Sequence, residues 1–93
     1  MLVEWRPAAR FNLRTILTYI GERNSQAAFE LNAAIEAATS ALPQHPYLYR
    51  YGRAAGTREI VVHPNYLVVY QVTDRIGILT VLHARQAYPP ASE

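Results

Sequence analysis

Between Gly56 and Pro89 the chain reads GTREIVVHPNYLVVYQVTDRIGILTVLHARQAYP, and this stretch limits the possible folds more than any other. It holds three apolar runs, Thr57–His63, Tyr66–Val72 and Ile78–His83, each rich in Val, Ile, Leu and Tyr. Short runs enriched in β-branched and aromatic residues read as strands. Their connections are His63-Pro64-Asn65 and Thr73-Asp74-Arg75-Ile76-Gly77. A parallel crossover needs about a dozen residues, so these runs form an antiparallel meander.

The first half is helical. Leu2–Arg6 alternates weakly before Pro7 and suits a short strand, after which Pro7 fits the first turn of a helix. From Ala8 to Arg23, Leu13, Ile16, Leu17 and Ile20 fall at i, i+3, i+4 and i+7, one face of an amphipathic helix that Gly21 and Asn24 end. Asn24-Ser25 then caps a second helix running to about Leu42, with Ala28, Leu31, Ile35, Ala38 and Leu42 as its seam. Two helices joined by so short a link fold back on each other, and the sheet is the one surface large enough to cover both seams. The expected fold class is α+β: a helical hairpin packed on one face of a mainly antiparallel four-stranded sheet, in the order β-α-α-β-β-β. Leu13, Ile16, Leu17, Ile20, Leu31 and Ile35 should be buried. The first strand pairs at an edge or beside the last strand, a choice the sequence leaves open.

The 93 residues make a single domain, 1–93, with a loosely ordered tail over 87–93. No run approaches the roughly 18 apolar residues of a membrane span, and MLVEWRPAAR lacks the apolar core of a signal peptide. With no cysteine, these features lead us to expect a cytoplasmic protein that does not engage membranes. All nine basic residues are arginine. A GC-rich genome gives the same bias, but arginine also offers a planar fork for carboxylates and phosphates. Residues 1–49 carry four Arg and four acids, whereas residues 50–93 carry five Arg and three acids, so the surplus sits on the sheet half. That placement suggests an anionic partner there.

Several chemistries find no support in the sequence. The three histidines have no metal-ligand spacing, no glycine-rich phosphate loop exists, and Asp74 lies in a turn at the far end of its strands from His83. No metal or other cofactor is expected. What remains is a loose set at the strand ends: Arg58, His63, His83, Arg85 and Tyr88. Histidine and arginine there suit general acid–base work on a phosphodiester, and equally the holding of an anionic partner with no chemistry. The connection Pro43–Arg53, with three tyrosines in five positions, reads either as a contact surface or as a loop folded onto the sheet edge by its own rings. Both strand faces are apolar, yet one hairpin covers only one. Val61, or Leu67 and Val69, would then lie open, as protein interfaces do. A partner segment crossing this surface would set its acids on Arg10, Arg14 or Arg85.

These residues also carry a resemblance. Trp5-x-x-x-Ala9 with the following helix, Leu42-x-x-His45-Pro46-Tyr47, Gly56-Thr57-Arg58-Glu59-Ile60-Val61-Val62, His63-Pro64-Asn65-Tyr66, Val69-Tyr70-Gln71-Val72 and Val81-Leu82-His83-Ala84-Arg85-Gln86-x-Tyr88-Pro89 follow one another as in the RelE/ParE superfamily of type II toxins. The chain resembles the ParE branch in particular. The resemblance implies a toxin made with a cognate antitoxin that wraps and blocks it, in a higher-order toxin–antitoxin complex. ParE-like members inhibit DNA gyrase; RelE-like members cut mRNA on the ribosome. The latter place a basic residue early in the central strand and lysines before it. Here that position is Leu67, and lysine is absent. The implied target is therefore gyrase, with Arg85, Tyr88, Arg58 and His83 as target-binding residues and Arg10, Arg14, Val61, Leu67 and Val69 as antitoxin-binding residues. On the alternative nuclease reading, His83, Arg58, Arg85 and Tyr88 would be catalytic.

Overall fold

In a computed structural model describing residues 1–89, seven short elements follow in order. They are β1 (Val3–Trp5), α1 (Pro7–Gly21), α2 (Ser25–Ala41), a 3-10 turn (Leu42–Gln44), β2 (Arg58–His63), β3 (Tyr66–Val72) and β4 (Ile76–His83). Pro7 opens α1 as expected. Asn24 caps α2, its side-chain oxygen accepting the Ala27 N–H at 3.0 Å. This satisfies one of the donors that every helix start leaves unpaired.

The sheet order is β1-β4-β3-β2. β2, β3 and β4 form the antiparallel meander. β1 adds at the edge beside β4 and runs parallel to it, with Val3 opposite Ile76 and Trp5 opposite Ile78. The left-open pairing is thus both an edge and a neighbour of the last strand. Parallel pairing is feasible here because the whole α1–α2 hairpin and two strands lie between the two partners. β4 begins at Ile76 rather than Ile78, because Ile76 N–H donates to Leu2 carbonyl at 2.8 Å while Thr73 N–H closes the turn onto Arg75 carbonyl. The connection expected over Thr73–Gly77 therefore shrinks to Thr73–Arg75.

The principal core lies between hairpin and sheet. Ala9, Leu13, Leu31, Ile35 and Leu42 meet Ile60, Val68, Tyr70, Ile76, Ile78 and Val81. Ile16, Leu17 and Ile20, expected inside, are only partly buried at its margin. α1 meets α2 and β4 chiefly through Ala9 and Leu13, and Leu17 borders an open groove with Arg10 and Arg14. Thr39 is buried in the α2 seam, where its hydroxyl donates to Ile35 carbonyl at 2.9 Å.

The other face of the sheet departs most from expectation. Leu67 and Val69, expected to lie open, are 1% and 0% exposed. They form a second cluster with Leu82, packed by Leu79, Ala84 and Tyr88. The chain covers this face with its own segment after β4, so among the expected open residues only Val61, on edge strand β2, stays exposed. Tyr88, expected within a loose tail, is half-buried in that cluster. Ala87 and Pro89 beside it are exposed, and residues 90–93 of that tail lie outside the described residues.

Candidate functional site

The strand ends hold the candidate residues, but they do not converge. Arg58 opens β2 opposite Tyr70, whereas His83 closes β4 opposite Tyr66. Four residue steps along β3, from Tyr66 to Tyr70, separate those positions, about 13 Å at about 3.3 Å per step. Arg58 is also tied to the connection before β2. Its Nη1 donates to Tyr49 carbonyl at 2.8 Å and Tyr47 carbonyl at 3.2 Å. Its guanidinium lies 4.3 Å from the Tyr51 ring centre and 5.2 Å from that of Tyr47. Arg58 thus fastens the tyrosine-rich connection onto the sheet edge, where Tyr51 bridges back to it. Tyr47, Leu48 and Tyr51 nonetheless remain exposed, so this connection is both a folded loop and an accessible aromatic surface. Beneath it the Tyr70 hydroxyl donates to Pro46 carbonyl at 2.7 Å. Burial pushes the Tyr70 phenol above its ordinary value, against the opposing pull of Arg58.

At the opposite end, Tyr66 stands between two histidines. Its ring centre is 5.8 Å from that of His63 and 5.3 Å from that of His83, the latter edge-on. His63 Nδ1 accepts the Asn65 N–H at 3.0 Å, and His83 Nδ1 accepts the Arg85 N–H at 3.1 Å. Each imidazole therefore shapes the turn that follows its strand, and a neutral ring in this arrangement carries its proton on Nε2. No group of three or more metal-capable side chains exists among the described residues. Asp74 sits at the other end of β3 and β4, where the Thr73 hydroxyl and Arg75 hold its carboxyl below the usual range.

Two residues that sequence reasoning passed over tie the second face together. Glu59 is 3% exposed although it is charged. It accepts from Arg50 Nη2 at 3.2 Å and from the Arg53 backbone N–H at 3.0 Å, with Arg53 Nε at 3.5 Å. Arg53 reaches on from there to the segment after β4. Its Nη1 donates to Gln86 carbonyl at 3.1 Å and its Nη2 to Ala84 carbonyl at 3.2 Å. The available signal was Glu59 itself, a carboxylate inside the apolar run REIVVH, since buried charges are seldom left unpaired. Arg85, between the two carbonyls, is exposed, while Tyr88 anchors the segment.

A third surface lies on α1. Arg10 covers the Trp5 ring at 4.6 Å, and Arg10, Leu13, Arg14, Leu17 and Thr18 line a shallow groove. Arg14 also borders an adjacent groove with Phe11, Thr15, Thr18, Tyr19 and Glu22. Phe11 and Tyr19 are both more than half exposed. Apolar rings among arginines suit an amphipathic acidic segment. No helix of the described residues is long and apolar enough to cross a membrane.

Comparison with known proteins agrees with this architecture. The family described as "ParE toxin of type II toxin-antitoxin system, parDE" matches residues 3–88. A relative from Sinorhizobium fredii, named "Putative toxin Y4kP", is 35% identical over 88 residues, 94% of this chain and 92% of its own. Among solved structures, a chain of the chromosomal ParDE TA system from P. aeruginosa superposes with a TM-score of 0.77 at 17% identity, covering 89% of this chain and 95% of that one. A chain of the toxin–antitoxin complex RelBE2 from Mycobacterium tuberculosis gives 0.61 at 21% identity, with 91% and 92% covered. At such identities the two structures speak for the fold alone.

Proposed function

The chain belongs to the ParE toxin family of type II toxin–antitoxin systems, and from that membership we propose that it acts by inhibiting DNA gyrase and is silenced by a cognate antitoxin. The observation that favours gyrase over ribosome-bound mRNA is the state of Leu67. It occupies the position where a RelE-like nuclease would need a cation, and it is buried in an apolar cluster under Tyr88. A phosphodiester transition state demands pre-organised positive charge, and losing one such group costs about 3–4 kcal/mol. Arg58 does not make up the loss, being held by Tyr49 and Tyr47 carbonyls well away from His83. In this reading no bond is broken by the toxin. Exposed Arg85 makes the target contact, and Tyr88 holds the segment that presents it. Arg58 and His83 contribute by shaping the loop and the turn beside that segment. The antitoxin docks its acids on Arg10 and Arg14 and its apolar side chains near Val61, with Leu67 and Val69 already occupied by the toxin itself.

The deciding experiment uses purified toxin in two assays. Gyrase supercoiling without ribosomes should be inhibited, and Arg85→Ala should weaken that inhibition. His83→Gln should at most weaken it, since His83 only shapes the turn that carries Arg85. Ribosome-dependent mRNA cleavage by the wild type, abolished by His83→Gln, would replace this reading with the nuclease one.

A further inference from the structure

We propose that Arg53 is a positioning residue that locks the segment Ala84–Tyr88 across the second face of the sheet, and so sets the geometry in which Arg85 meets the target. The inference rests on the reading that this segment is the effector of toxicity. Arg53 lies in the connection before β2, 31 and 33 residues from the carbonyls it holds. Its two outer nitrogens bracket Arg85, one on Ala84 carbonyl and one on Gln86 carbonyl. Its inner Nε and its backbone N–H both face Glu59. Glu59 is almost wholly buried, so its carboxylate provides a fixed post that leaves the Arg53 guanidinium little choice of orientation.

Other ties of the segment are mostly local. Arg85 and Gln86 N–H groups go to His83 two and three residues back, and only Ala84 N–H reaches another strand connection, at Asn65. Tyr88 adds apolar packing, which is not directional. Among the described residues, Arg53 is therefore the side chain that fixes the backbone on both sides of Arg85. The task needs a planar fork with donors pointing two ways, which a lysine ammonium cannot supply in the same geometry.

The test compares wild type with Arg53→Ala and Arg53→Lys in three measurements: growth arrest on induction, amide hydrogen exchange at residues 84–88, and thermal midpoint. Arg53→Ala should raise exchange at Arg85 and Gln86 by about tenfold or more and abolish growth arrest, while exchange in the strand interiors of β3 and β4 stays at the wild-type level. Arg53→Lys should fall between the two. Should Arg53→Ala fail to fold, Arg53→Gln, which keeps polar bulk beside Glu59, carries the same comparison. Full growth arrest by Arg53→Ala would overturn the proposal. So would a loss of growth arrest with exchange at 84–88 unchanged, because Arg53 would then act by direct contact or through general stability. Growth arrest reads out toxicity whatever the target, so failure of the gyrase assay alone would sink the target assignment and leave the Arg53 result interpretable.

Discussion

Replacing Ile35 by alanine tests the helix-on-sheet packing that holds the candidate surfaces in place. Ile35 is 0% exposed and sits where α2 meets the sheet. The substitution removes three carbons, worth about 2.4 kcal/mol of transfer free energy at about 0.8 kcal/mol each. The resulting hole is enclosed, so incomplete relaxation should raise the cost to about 3–4 kcal/mol. Leu17→Ala removes the same number of carbons from a different setting. Leu17 is only partly buried and borders the groove shared with Arg10 and Arg14, where water can enter. About half the transfer term survives there and no closed cavity forms, giving about 1–1.5 kcal/mol. A domain of this length has about 5–14 kcal/mol to lose, so Ile35→Ala should shift a urea midpoint far more than Leu17→Ala. Trp5 fluorescence and far-UV circular dichroism report the transition, with an unchanged slope confirming that both variants unfold from the same native state. Costs within about 0.5 kcal/mol of each other would refute the burial argument.

Tyr70→Phe should cost about 1 kcal/mol at neutral pH, because Pro46 carbonyl loses its donor. The folded phenol titrates above the ordinary 10.0, so wild type is favoured fully below that pH and loses the advantage as pH rises through the folded value. The stability gap between wild type and Tyr70→Phe should therefore close above about pH 10, and a gap independent of pH would contradict the burial of this hydroxyl. Asn24→Ala should lower stability by about 1 kcal/mol through loss of the α2 cap, measured by thermal melting, and an effect indistinguishable from zero would argue against the cap. Arg10→Ala with Arg14→Ala should weaken antitoxin binding by up to about 1 kcal/mol per exposed arginine and flatten its salt dependence in titrations. Equal affinity and equal salt slope would remove the charge component of that surface.

Local chemistry made much of this protein readable in its sequence. Apolar spacing placed Leu13, Leu31 and Ile35 on inward helix faces, Asn24 and Pro7 marked helix starts, and turns too short for a crossover forced β2, β3 and β4 antiparallel. Periodicity and turn length act over a few residues, so they survive in the one-dimensional string. Strand β1 was visible, but its partner was not, because pairing Val3 with Ile76 depends on where the intervening hairpin brings the chain ends. The same holds for the candidate site. Arg58, His83, Arg85 and Tyr88 were identifiable as polar groups at strand ends, whereas their dispersal over two ends of the sheet follows from register, in which Tyr70 opposes Arg58 and Tyr66 opposes His83. Leu67 and Val69 carry the same alternating pattern whether a partner covers them or the chain does. Tertiary structure decided in favour of Ala84 and Tyr88, and it brought Arg53 from before β2 to the carbonyls beside Arg85. Those contacts join residues far apart in the chain, so no local pattern records them, and only the assembled sheet brings them together.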